Sequence, residues 1–328
     1  MFLKKIQKKN LKIGIIGLGY VGLPRAIQFC SKNFKVFGFD TDQKKIDILR
    51  KGKSYIINVK DHLIKKGIKK KTFIPTSDFS NISILDVIII CVPTPLDNRL
   101  NPNLRFIKDT INKIKKNLKK NQLICLESTS YPGTTFETIV SQLSRKFKIG
   151  KNFFVGYSPE RNDPALKEIN LHKIPKLVSG FTKRCLNLTN MVYKIAFRET
   201  VLMKSMRLAE MTKLYENIYR AVNIGFVNEM KKVCTKMNLD ISEIIQAAKT
   251  KPFGFKAFYP GPGLGGHCIP IDTFYLTWKA KQFNIKKEFI NLAGKVNRSI
   301  PRWVVEQLKK KLKERYNILS LKKRNFLI

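Results

Sequence analysis

The sequence predicts an α/β chain, a parallel-sheet domain followed by an all-helical domain. Three observations carry that expectation. Apolar runs of strand length alternate with longer stretches apolar at helical spacing through the first half of the chain. A glycine-rich turn follows the first of those runs directly. After about residue 200 only helix-spaced sequence continues, including one stretch long enough to span on the order of 50 Å as a helix.

In chain order, residues 13–17, 35–39, 87–92, 123–126 and 153–157 are short runs rich in Ile, Val, Leu and Phe, as strands buried on both faces require. Between them, 23–32, 43–51, 103–118 and 134–146 read as helices, and such alternation predicts a parallel sheet with right-handed crossovers. Residues 203–237 follow as one long helix. Met206, Leu208, Met211, Leu214, Ile218, Val222, Phe226, Met230 and Val233 make it apolar on more than one side, so it is expected to form the core of a homodimer. Next come a helix over 242–249, a glycine- and proline-rich loop over 251–270, and helices over 271–281, 288–296 and 301–315, with Pro301 suited to a first turn. Residues 322–328 look like a basic turn opening a further strand. The expected domains are 1–200, 201–315 and the start of a third at 316–328.

The chain has 328 residues, 43% of them hydrophobic, which excludes global disorder. Lys and Arg number 64 against 23 Asp and Glu, a formal +41, which by itself suggests a polyanionic partner. The lysines are spread through nearly every block of ten and no groove-reading motif accompanies them, so no nucleic-acid partner is expected. Six cysteines stand singly without a CxxC, as in a reducing compartment. The longest apolar run, 87–92, lies between Asp86 and Pro93, far short of the roughly 18 residues of a membrane span. The basic then apolar start is interrupted by glycines and lacks a small-residue cleavage site, so it reads as a first strand rather than a signal peptide. A cytoplasmic protein with no membrane partner is expected. His62, His172 and His267 offer no second ligand pair at zinc spacing, so no metal site is expected.

Gly17-Leu18-Gly19-Tyr20-Val21-Gly22 is a GxGxxG between a predicted strand and a predicted helix. Its first glycine allows the tight turn, the second lets a pyrophosphate approach the backbone, and the third lets helix and strand pack, with the helix N-terminus favouring phosphate charge. Asp40 ends the next predicted strand, where a carboxylate accepts ribose hydroxyls and repels a 2′-phosphate; Lys44 and Lys45 stand close enough to soften that repulsion. The first domain is therefore Rossmann-like, with NAD as the expected cofactor.

The second concentration of chemistry is Pro260-Gly261-Pro262-Gly263-Leu264-Gly265-Gly266-His267-Cys268-Ile269-Pro270-Ile271-Asp272. It places Cys268 at a helix N-terminus, where the dipole favours the thiolate. On the long helix, Lys213 and Asn217 stand four apart on one face. Taken alone, that spacing reads as a solvated face with Glu210 paired to Lys213.

Together these segments resemble the nucleotide-sugar 6-dehydrogenase family, typified by UDP-glucose and GDP-mannose dehydrogenases. The resemblance is carried, in order, by GLGYVGLP at 17–24, FDTD at 39–42, CVPTP at 91–95, ESTSYPGTT at 127–135, SPERNDP at 158–164, AEMTKLYENIYRAVNIGFVNEM at 209–230 and FYPGPGLGGHCIPID at 258–272. It implies that NAD oxidises a sugar CH2OH twice, to a carboxylate, through a thioester on cysteine. Cys268 is then the nucleophile, Lys213 stabilises alkoxide and oxyanion, and Asn217 holds oxyanion and water. Glu160 and Thr129 handle protons and the hydrolytic water, and Asp272 orients water. Thr94 and Thr129 lie beside the nicotinamide half. Glycine, tyrosine and valine of the turn (Gly17, Gly19, Tyr20, Val21, Gly22), with Asp40 and Lys45, bind the rest of the cofactor.

The GGHCIPID and AEMTKLYEN blocks look most like the UDP-N-acetylhexosamine branch of surface-polysaccharide pathways, with Lys256, Phe258, Tyr259 and Gly265 beside the UDP-sugar. Ala165 and Thr273 depart from residues common in the family, and the family continues into a second nucleotide-binding domain. The alternative that follows is a truncated or split-gene fragment without activity of its own. A further rival, a single-hydride 3-hydroxyacid dehydrogenase, uses a helix Lys and Asn but needs no thiol.

Overall fold

The computed structural model describes residues 2–161, 174–265, 268–285, 288–317 and 320–321. Ala165, His172, Gly266, His267, the end of the SPERNDP block and the strand expected over 322–328 lie outside the described residues. The chain divides into two compact units, Met1–Leu214 and Tyr215–Ile328.

The first unit opens with α1 (Phe2–Gln7), then β1 (Lys12–Ile16), α2 (Gly22–Ser31), β2 (Lys35–Phe39), α3 (Gln43–Arg50), α4 (Asp61–Lys69) and β3 (Phe73–Thr76). A 3-10 stretch leads to β4 (Val87–Ile90), α5 (Arg105–Ile114) and β5 (Leu123–Leu126). A π-helical stretch, Phe136–Val140, runs into α6 (Ser141–Leu143), followed by β6 (Phe154–Tyr157), β7 (Lys176–Gly180), α7 (Lys183–Tyr193) and β8 (Thr200–Leu202). The eight strands form one sheet in the order β3-β2-β1-β4-β5-β6-β7-β8, parallel except where β7 runs antiparallel to β6. β4 and β5 are buried at every position, because helices cover both faces of the sheet. Side-chain caps set helix starts: Asp42 accepts from the Lys44 N–H ahead of α3, and Thr182 from the Cys185 N–H ahead of α7.

The five expected strands are present, and β3, β7 and β8, with α1, α4 and α7, add to the expectation. Pro75 sits within β3, which is tolerated because β3 is an edge strand. The helix expected over 134–146 is partly π. Thr138, Ser141 and Ser144 each donate a hydroxyl hydrogen bond to the carbonyl four residues back, which strains regular helical bonding.

α8 (Met206–Lys236) crosses from the first unit into the second, which continues with α9 (Ile241–Lys249), α10 (Cys268–Lys281) and α11 (Glu288–Tyr316). The expected break between 296 and 301 is corrected: α11 is one helix with Pro301 inside it. Proline removes a single backbone donor there, while the buried Asn297 and Ile300 hold the helix just before it. Gly225, the interior glycine of α8, marks a close approach to α11, since a Cβ there would lie 3.3 Å from the Ala293 carbonyl oxygen. Val227, Cys234, Ile241 and Ile245 form a small core with Met230, Ala257 and Phe258 against it. Among the described residues no helix is long and apolar enough to cross a membrane.

Candidate active site

The turn after β1 is built by its glycines. Gly17 has φ +89°, and a Cβ there would meet the Cys91 carbonyl oxygen at 2.9 Å. A Cβ on Gly22 would lie 1.8 Å from the Gly17 carbonyl oxygen, so α2 starts flush against the turn. A Cβ on Gly19 would meet nothing within 4 Å, which leaves the backbone open to a ligand on that side. Tyr20 is exposed and Val21 precedes α2.

Asp40 follows β2. One of its oxygens accepts from the Leu18 N–H at 2.9 Å and the other from the Asp42 N–H at 3.0 Å, so the carboxylate is fastened to the glycine turn itself. Lys45 Nζ lies 3.8 Å from Asp40. Sequence reasoning missed Tyr55, which donates to the Leu18 carbonyl at 2.7 Å and carries Lys45 above its ring. Burial, then Asp40 and Asp42, raise the Tyr55 pKa, so it stays a donor. An open glycine backbone at a helix N-terminus, with a fixed carboxylate at the neighbouring strand end, fits the pyrophosphate and ribose of NAD.

The loops after β4 and β5 are stitched together. Thr94 Oγ1 donates to the Thr129 carbonyl at 2.7 Å, and Ser128 Oγ to the Val92 carbonyl at 2.6 Å. The two threonines expected beside the nicotinamide half are therefore neighbours at the carboxyl ends of adjacent strands.

Glu160, expected to work with Thr129, is held among the described residues by two cations. Its carboxylate bonds the Arg25 guanidinium and lies 3.4 Å from Lys176 Nζ. Those cations also hold Glu127, with Arg25 Nε at 3.1 Å and Lys176 Nζ at 3.3 Å, while the Tyr193 hydroxyl donates to Glu127 at 2.6 Å. The Phe197 ring lies against both cations. Burial alone would lower the Arg25 pKa, but Glu127 and Glu160 raise it, so the guanidinium is charged. Arg25 was read only as part of the glycine-turn helix, and no local signal marks partners more than 100 residues away.

The reading of Glu210 and Lys213 as a paired, solvated helix face is corrected. Glu210 is 0% and Lys213 6% exposed. Glu210 instead accepts from the N–H groups of Gly133 at 2.5 Å and Thr135 at 2.8 Å, and from the Thr135 hydroxyl at 2.7 Å. Tertiary packing turned this helix face inward.

In the second unit, Cys268 is the first residue of α10, and Asp272 stands one turn further on. Asp272 is buried and accepts a hydrogen bond from the Asn217 side-chain amide on α8. The glycine loop is held by a residue sequence reasoning missed: Asn228 accepts from the Gly261 N–H at 3.0 Å and donates to Asn297 at 3.3 Å. Asn297 donates in turn to the Ala221 carbonyl at 2.8 Å. Phe258 packs edge-on to Tyr219, while Tyr259 and Gly265 are exposed.

The parallel sheet, the open glycine turn and the fastened Asp40 define an NAD-binding oxidoreductase. Residues 11–197 match the NAD-binding domain, and residues 207–299 the central domain, of the UDP-glucose/GDP-mannose dehydrogenase family. The chain belongs to that family, and so to the NAD-dependent nucleotide-sugar dehydrogenases. It is 36% identical over 310 residues to a UDP-N-acetyl-D-glucosamine 6-dehydrogenase of Pseudomonas aeruginosa, covering 94% of this chain and 72% of that protein. It is 35% identical to a UDP-N-acetyl-D-mannosamine dehydrogenase of Campylobacter jejuni, covering 92% of this chain and 75% of the relative. Among solved structures, a UDP-D-ManNAc dehydrogenase from Pyrococcus horikoshii superposes with a TM-score of 0.87 at 30% identity, covering 93% of this chain and 72% of that one.

Proposed function

We propose that the chain oxidises C6 of a UDP-N-acetylhexosamine from alcohol to carboxylate through a thioester on Cys268. The observation that carries this reading is the buried pairing of Asn217 with Asp272 one turn beyond Cys268. It orients an acid one helical turn after the residue the resemblance makes the nucleophile. The names of the relatives support the acetylhexosamine branch.

When bound, NAD accepts the hydride. In the first oxidation the C6 hydroxyl gives up its proton, and the ammonium of Lys213 stabilises the alkoxide. The Cys268 thiolate then adds to the aldehyde carbon, forming a C–S bond, and Lys213 and Asn217 hold the oxyanion. Loss of the second hydride, which a second bound NAD would accept, would leave the thioester. Water oriented by Asp272, with protons handled by Glu160 and Thr129, breaks the C–S bond, returns the thiol and releases the carboxylate. Asp40, Lys45 and Thr94 hold the cofactor, and Phe258, Tyr259 and Gly265 line the sugar side.

The long α8 serves as the dimer core; its exposed Leu208, Phe226 and Val233 support that role. The five described cysteines outside the glycine loop are free thiols, which fits a reducing cytoplasm. Incubating the protein with NAD and a panel of UDP-sugars tests the substrate class. Reduction with UDP-N-acetylglucosamine or UDP-N-acetylmannosamine, and much less with UDP-glucose, is expected. Preference for UDP-glucose contradicts the branch.

A further inference from the structure

Glu210 is a fully buried carboxylate whose partners all belong to one loop. Its two oxygens take three donors, the N–H groups of Gly133 and Thr135 and the Thr135 hydroxyl. Among the described residues no cation is paired with it. Burial pushes its pKa up to about 6, against the downward pull of the Gly133 and Thr135 donors. A neutral side chain would escape that desolvation, but no neutral side chain accepts three donors at two forked oxygens.

The same loop is tied at its other end by Thr94 to the Thr129 carbonyl and by Ser128 to the Val92 carbonyl. Within the loop, Thr134 Oγ1 bonds the Tyr131 carbonyl and Ser130, and Gly133 turns the chain at φ +108°. The loop is thus held at both ends, at Thr129 by Thr94 and at Gly133 and Thr135 by Glu210 of α8. Glu210 also sits one turn before Lys213, and both are buried.

We infer that Glu210 is a positioning residue: its carboxylate fastens the 128–135 loop to the turn of α8 that carries Lys213, and so holds Thr129 in place for the nicotinamide half of the cofactor. The inference rests on the proposed placement of Thr129. A displacement of about 1 Å in such a group is enough to cost on the order of a hundredfold in rate.

The test uses the full chain with Glu210→Gln, Glu210→Ala and Thr129→Ala, and direct titrations of NAD and of ADP-ribose, which lacks the nicotinamide half. Amide exchange over 128–135 is followed in parallel by mass spectrometry. Glu210→Gln is expected to weaken NAD about tenfold, leave ADP-ribose affinity within twofold, and raise exchange at 133–135 about tenfold. A purely structural role would weaken both ligands together or neither, and either result overturns the inference. Should Glu210→Ala fail to fold, Glu210→Gln, which retains one acceptor oxygen, decides the matter. If Thr129→Ala leaves NAD affinity unchanged, the placement of Thr129 fails instead, a result distinct from loss of the Glu210 effect. Unchanged exchange in Glu210→Gln also overturns the inference.

Discussion

Asp272 on α10 accepts a hydrogen bond from the side-chain amide of Asn217 on α8, and both side chains are buried. The bond joins two helices whose sequences lie far apart, and it fixes the orientation of an acid one turn after Cys268. Asn217→Leu removes one donor from a buried carboxylate. Urea unfolding is expected to show a loss of about 1.5–3 kcal/mol, the usual worth of a hydrogen bond to a charged group. A loss below a few tenths would show that the bond contributes nothing to the fold.

Gly19 and Gly22 of the turn are expected to fail differently. Gly22→Ala forces a Cβ to 1.8 Å from the Gly17 carbonyl oxygen, so both stability and NAD binding should fall. Gly19→Ala meets no atom within 4 Å, so its melting temperature should match the parent while NAD affinity drops at least about tenfold. Calorimetric NAD titration with parallel melting curves separates the two. Undiminished NAD affinity in Gly19→Ala would mean that the cofactor does not approach this backbone.

Glu210 gives the fold a specific pH dependence. Its pKa in the folded protein is about 6 against an ordinary 4.5, with burial the first cause, and Glu137 adds to the rise. The folded state therefore binds more protons between those values, so this group's contribution to stability is full below about 4.5 and is lost as pH rises through about 6. Relative to Glu210→Gln, the parent should lose about 1 kcal/mol of stability between pH 5 and pH 7.5. Denaturant titrations of both proteins at the two pH values check the sign; a parent that gains relative to the variant contradicts it.

Arg25 is one of two cations shared by Glu127 and Glu160, with Lys176 the other. Arg25→Met leaves two carboxylates leaning on Lys176 in a buried cluster, and a loss of about 3–5 kcal/mol is expected by chemical denaturation. Loss of less than about 1 kcal/mol would mean that Lys176 alone neutralises both.

Much of the first unit was legible because burial on both faces of a parallel sheet demands continuous Ile, Val and Leu, as in Val87–Ile90 and Leu123–Leu126. The glycine turn and Asp40 were legible because their roles are set by backbone geometry within a few residues of each. β3 was hidden by Pro75, which argues against a strand anywhere but at a sheet edge. The break expected before Pro301 reflects a helix propensity that packing overrode. Arg25, Asn228 and Asn297 escape a reading of the sequence, and Glu210 is misread there, for another reason. Each takes its role from a partner far along the chain, and a polar residue at helical spacing carries no local mark of whether its face turns inward.

The most direct test of the proposed chemistry is the count of NADH formed per UDP-N-acetylhexosamine consumed, in the parent and in Cys268→Ser, with the product analysed by mass. The parent should yield two NADH and a uronate. Cys268→Ser should stop near one NADH per site with aldehyde or an ester adduct bound, since a serine hydroxyl is the far weaker nucleophile at neutral pH. Two NADH per sugar at near-parental rate from Cys268→Ser would contradict the thioester route, and one NADH per sugar from the parent would contradict the double oxidation itself.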